Sequence, residues 1–283
     1  MTAREKALRL IVRLTVFTVF SLAGLRLLGT LLYWLSGNLL LTSVLAVFVT
    51  AAAVNALLMR IYEAAGLVQV GLQWSAETRR NLLIGLAAGA GSAGLLLAGA
   101  VLSPAAEIES AGGGRTEWPV IVFVGFLLLL GAAGEEMLFH GYGFQILLAG
   151  IGRWAAILPV SALFAVAHTG NPQITPLGVV NTFGWGVLLG YAFWRSGDLW
   201  LPIGLHAGWN LTLPLAGVPL SGFTMNLTGY TVRWKAGPLW SGGEYGLEGS
   251  ILTSAILILL LVALWRMPLS RQTPFLLQAR EEG

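Results

Sequence analysis

The chain has 283 residues, 56% of them hydrophobic and only 10% charged, whereas a soluble domain carries roughly 25% charged residues. Its net charge of +3 comes from Arg and Lys near the ends of apolar runs, without a basic stripe interleaved with aromatics, so nucleic acid is not an expected partner. Cysteine is absent, which excludes disulfides, thiolate metal sites and cysteine nucleophiles.

This composition predicts an all-α polytopic membrane protein, one integral domain over 1–283. The lipid bilayer core is about 30 Å thick and each crossing helix needs about 20 mainly apolar residues. Apolar runs give about eight transmembrane helices, at 10–35, 39–60, 81–103, 118–148, 153–168, 174–194, 199–216 and 250–265. The basic segment Met1 to Arg13 leads into an apolar run with no small-residue cleavage pattern, so it reads as a retained first span. Arg26 lies inside that span and must snorkel or face the protein interior. Between the second and third spans, Glu63 to Arg80 mixes Leu, Val and Trp74 with charges, which suits an amphipathic interfacial helix.

Arg4, Lys6, Arg9, Arg60, Arg79, Arg80, Arg153, Arg195, Arg266, Arg271 and Arg280 fall on one side of these spans. Arg115, Arg233 and Lys235 fall on the other. The positive-inside rule then puts both termini in the cytoplasm, and an even number of spans agrees with their lying on one side. The loops Ser103 to Glu117 and Leu220 to Gly249 are Gly-rich and lie outside, the second with a short Asn226-Leu227-Thr228 glycosylation match.

The fourth span carries the strongest chemical signal. Trp118 to Gly134 has no charge, and it is followed by Glu135, Glu136 and His140. A carboxylate inside hydrocarbon costs several kcal/mol unless it is paired, protonated or wet, so two side by side mark a functional site. The 3 histidines, His140, His168 and His206, all lie in or at the edge of predicted spans. Glu136 and His140, Phe164 and His168, and His206 and Asn210 each stand at i and i+4 and share a helix face. Any one such pair is more often a hydrogen-bonded structural pair than a catalytic one.

The order Glu-Glu-x-x-x-His, Phe-x-x-x-His, His-x-x-x-Asn on three spans resembles the CPBP family, the CAAX-prenyl-protease and bacteriocin-processing intramembrane endopeptidases, also described as Abi-type. That family carries Glu-Glu-x-x-x-Arg, Phe-x-x-x-His and His-x-x-x-Asn/Asp on an eight-helix membrane fold. The likeness covers about 118–213. His140 stands where the family has Arg, which replaces a fixed cation by a titratable one.

The resemblance implies hydrolysis of a peptide bond in a peptide or protein substrate, lipidated in the CAAX case, at a buried polar site in a bacterial inner membrane. It implies that Glu135 and His168 activate a water, and that His206 and Asn210 hydrogen-bond the oxyanion. Glu136 would orient the site beside His140, with Phe164 in support. The residues agree in kind: there is no Gly-x-Ser-x-Gly and no His-Glu-x-x-His, and Glu and His are the bases available in the spans. Glu135, His168 and His206 also form a three-ligand set of the kind that catalytic zinc accepts. A metal-free glutamate mechanism uses the same three.

Two other readings compete. Carboxylates and histidines in spans also serve proton-coupled transporters, although no inverted repeat is visible. The exchange of Arg for His140 also allows an inactive family member acting as a membrane scaffold. One geometric expectation follows from helix rise. Glu135 lies roughly 20 Å from the Leu148 end of its span and His168 roughly 22 Å from Arg153, but His206 only about 10 Å from Leu199. If the three are to meet, either the 195–199 turn dips inward or the span does not start at Leu199.

Overall fold

A computed structural model of the chain describes residues 2–111 and 117–278. Arg115 and Arg280 of the charge pattern lie outside the described residues. The chain is a helical bundle: α1 (Ala3–Ser36), α2 (Leu39–Glu63), α3 (Ala76–Leu102), β1 (Ala106–Ser110), α4 (Trp118–His140), α5 (Tyr142–Ile151), α6 (Arg153–Ala167), α7 (Pro176–Ser196), α8 (Trp200–Leu215), β2 (Tyr230–Trp234), α9 (Pro238–Ser241), α10 (Ile251–Arg266) and α11 (Phe275–Gln278). Polar caps set several boundaries. Thr2 and Glu5 form a capping box on α1, while Asn38, Ser75, Thr175 and Ser250 accept from the first turns of α2, α3, α7 and α10.

Helices occupy all eight expected positions, but they are unequal. Five are long and apolar enough to cross a membrane: Ala3–Ser36, Leu39–Glu63, Ala76–Leu102, the α4–α5 unit Trp118–Ile151, and Pro176–Ser196. The others, α6, α8 and α10, have 15, 16 and 16 residues, about 22–24 Å at 1.5 Å per residue. These three are shorter than a bilayer core is thick.

Three local expectations change. The 118–148 span is broken at Gly141 into α4 and α5. Asn55 of α2 enters the break: its amide donates to Met137 O at 2.9 Å and its Oδ1 accepts from Tyr142 N at 2.6 Å, supplying bonds that a continuous helix would make internally. A side chain at Gly141 would overlap Met137 O and that amide. The segment 63–80 is not an amphipathic helix. It holds a 3₁₀ turn at Leu67–Val70 and then the start of α3, because Gly66 and Gly71 interrupt the chain and Ser75 caps the next helix. Arg26 faces outward, exposed on α1, and not toward the interior. The two Gly-rich loops also pair, β1 antiparallel to β2, with Arg233 and Lys235 bridging to Glu107 and Glu109.

The closest helix pair is α3 with α8. Gly85 and Gly89 of α3 face Gly204 and Gly208 of α8, and a Cβ on any of the four would overlap backbone of the other helix. Small residues at four-residue spacing let two backbones meet, the packing expected where no water is squeezed out between helices.

The α7–α8 turn is recessed. Asp198 Oδ1 accepts from Trp200 N and Leu201 N, capping α8, and Oδ2 accepts from Asn81 Nδ2 at 2.6 Å. Asn81 lies about 8 Å along α3 from its first residue. The turn therefore dips inward, which raises His206 to the depth of its partners. Residues 267–278 fill the space beneath. Gln272 N donates to Ser196 O at 2.6 Å, Ser270 O accepts from Asn81, and Gly197, at φ +73, leaves no room for a side chain against Gln272 O.

Candidate functional site

Adjacent residues on a helix point about 100° apart, so Glu135 and Glu136 at the end of α4 face different neighbours. Glu136 is fully buried. Its Oε2 meets His140 Nδ1 at 2.7 Å, the pairing that helical spacing predicts, and its Oε1 meets His206 Nδ1 at 2.8 Å, which spacing could not show. Glu135 turns into a cavity with 28% of its side chain exposed. Its Oε2 is buried and has no hydrogen-bond partner among the described residues. Around that atom stand His168 Nε2 at 3.6 Å and His206 Nε2 at 3.9 Å.

The imidazoles are oriented from behind. His168 caps the end of α6, and its Nδ1 donates to Phe164 O at 2.7 Å. A carbonyl only accepts, so the proton of the neutral ring sits on Nδ1 and the Nε2 lone pair faces Glu135. Glu136 holds His206 through Nδ1–H, the contact by which a carboxylate orients an imidazole. The Phe164 ring lies 4.5 Å from the His168 ring and 6.2 Å from that of His206, with Phe139 edge-on at 5.0 Å. Phe164 thus braces both histidines, which explains its place one turn before His168.

Glu135, His168, His206 and Asn210 line one cavity of about 790 Å³, with apolar walls from α1, α2, α4, α5 and α6. The structure thus brings together the four residues assigned direct roles. His140 stands behind Glu136, 1% exposed, with its ring edge-on to Phe144 at 5.1 Å and its Nε2 toward Gly190. It does not line the cavity. Among the described residues no group of three or more His, Asp or Glu is disposed to hold a metal ion, so Glu135, His168 and His206 do not fit as a zinc set and no metal step is derived.

Sequence reading missed two participants. Asn55 braces the break after His140. Glu248, in the loop before α10, faces the cavity with its oxygens on Ser221 and Trp209. Burial pushes its carboxyl up, and the Ser221 hydrogen bonds and the charge of His168 pull it down. A carboxylate two residues ahead of an apolar run was the available signal for Glu248; nothing in sequence distance pointed to its partners.

No curated protein and no solved structure matches the chain. A family model does match, and does not favour the carrier or the scaffold. With several apolar helices, it identifies an integral membrane peptidase of the CAAX-protease-like kind. Residues 116–212, which hold every candidate site residue read from the sequence, match the family model of the type II CAAX prenyl endopeptidase Rce1-like proteins.

Proposed function

We propose that this protein hydrolyses a peptide bond of a protein or peptide substrate inside the membrane, with Glu135 and His168 as the bases that activate the water. The observation that carries this reading is the unpartnered, buried Glu135 Oε2 with two imidazole Nε2 atoms at 3.6 and 3.9 Å. Glu135 Oε2 and His168 Nε2 are two acceptors facing one point, which suits a water that donates two protons and is polarised as it does so. Water oxygen bonds to the scissile carbonyl carbon and its proton passes to the Glu135–His168 pair. Asn210 Nδ2–H and a protonated His206 Nε2 stabilise the oxyanion, an effect of about 3–4 kcal/mol per donor. Collapse breaks the C–N bond, and the stored proton leaves on the amine.

The apolar cavity walls suit a lipidated substrate. The eight helices cross the membrane with α6, α8 and α10 as its short members. The basic end, where Arg13 pairs with Glu63 and residues 267–278 pack on α5, is cytoplasmic in this reading. A bacterial inner membrane suits that charge bias.

The test is cleavage in liposomes by purified protein. Glu135→Gln keeps the shape and loses the base, and is expected to reduce the rate by at least a hundredfold at unchanged thermal stability. Cleavage by that variant near the unsubstituted rate overturns the assignment.

A further inference from the structure

Glu248 lies in a 3₁₀ turn, Leu247–Gly249, outside the stretch that matches the family. Its side chain faces the same cavity as Glu135 although the residue is only 8% exposed. Oε2 accepts from Ser221 N at 2.5 Å and Ser221 Oγ at 2.8 Å, and Oε1 accepts from Trp209 Nε1 at 3.3 Å. Its own backbone is pinned, since Asn181 Nδ2 donates to Glu248 O and Ser250 O, each at 2.8 Å. Among the described residues no Arg or Lys lines this cavity to pair with the carboxylate.

The Ser221 bonds have a structural purpose. Leu220 and Phe223 exchange backbone hydrogen bonds of 2.9 and 2.8 Å across Ser221 and Gly222, whose φ angles are +49 and +83. Gly222 takes such angles freely, whereas serine does so only where surroundings hold it. Glu248 supplies that hold twice over, on N and on Oγ. Leu220, Ser221 and Phe223 line the cavity, so this turn is its roof. The other carboxylate oxygen reaches Trp209, one turn of α8 beyond His206 and next to Asn210.

We propose that Glu248 is a positioning residue that latches the turn Leu220–Phe223 onto α8 as the roof of the cavity, so that a substrate chain entering beneath this turn is held by the closed latch. The activity arm of the proposal rests on the endopeptidase reading; the latch itself does not. Gln in place of Glu248 offers one acceptor oxygen where three donors need two, so it loosens the roof without changing its size.

Because the chain has no cysteine, a single one introduced at Thr182, a buried cavity-lining residue of α7, reports access directly. A water-soluble maleimide is expected to label Thr182→Cys at least tenfold faster when Glu248→Gln is added. Cleavage by Glu248→Gln is expected to show KM raised at least fivefold with kcat within threefold of the unsubstituted protein. Unchanged labelling in a folded Glu248→Gln protein overturns the latch, whether or not peptide is cleaved. Faster labelling with no cleavage by the unsubstituted protein upholds the latch and sinks the endopeptidase reading. If Glu248→Gln does not fold, Ser221→Ala and Trp209→Phe each remove one donor, and failure of both to speed labelling overturns the proposal.

Discussion

At the scale of single residues, the centre of the site is Glu136 more than the exposed Glu135. Its two oxygens, themselves fully buried, hold two imidazoles, His140 and His206. A buried carboxylate left with one partner removed costs about 3–5 kcal/mol. His140→Ala is therefore expected to lower thermal stability by that order and to slow cleavage, although His140 never touches the cavity. Unfolding in detergent followed against temperature checks this, and an unshifted midpoint would show that Glu136 needs only His206. The pair Glu135-Glu136 and all three histidines were legible because charge and imidazole are expensive in apolar runs. The Glu136–His206 bond was not, since it joins helices 70 residues apart. Glu248 escaped for the same reason: its donors come from α8 and from a turn of the preceding loop.

At the scale of elements, α8 carries His206 and Asn210, and α3 sets where α8 stands. Replacing Gly89 by Leu would drive a side chain into Leu205 O and Trp209 N, and is expected to separate the helices, lower stability by several kcal/mol as overpacking in a rigid core does, and abolish cleavage. Gly94→Ala and Gly99→Ala on the same helix meet nothing within 4 Å and are expected to leave both properties near those of the unsubstituted protein. Equal effects from all three, by thermal unfolding and cleavage rate, would remove the α3–α8 contact as the explanation. This contact was written in the chain as Gly85-x-x-x-Gly89 and Gly204-x-x-x-Gly208. The break after His140 was not, because the residue that makes it possible, Asn55, belongs to α2.

At the scale of the whole molecule, hydropathy located eight helices but not their lengths, since three depend on a recessed turn that only tertiary contacts define. Asp198 in that turn carries a testable signature. Burial raises its pKa, against the hydrogen bonds from Asn81, Leu201 and Trp200. A folded-state pKa above the unfolded value of about 3.9 means that the fold favours the protonated acid. Stability is then greatest below the unfolded pKa and falls as pH rises through the raised folded one. Asn in its place keeps the Oδ1 cap, and once the Asn81 amide flips, the new Nδ2 can donate to Asn81 Oδ1, which is buried and without a partner among the described residues. Asp198→Asn is expected to gain thermal stability relative to the unsubstituted protein as pH rises from about 3.5 to 7. A difference that does not change with pH would show that burial of Asp198 has no such cost.

The same turn imposes an order on biosynthesis. Ser196 O and Asn81 wait for Gln272 and Ser270, which leave the ribosome only after α10 has been made. Until then the start of α8 has its Asp198 cap and the Asn81–Asp198 bond but lacks the contacts from residues 267–278. In the endopeptidase reading, the side chains proposed as catalytic are all made before residues 267–278, so hydrolysis is expected to stay off until those residues are in place. A chain stopped after Arg266 is expected to insert and remain inert, with cleavage recovered when residues 267–278 are supplied as a separate peptide; full activity without them would dismiss this timing.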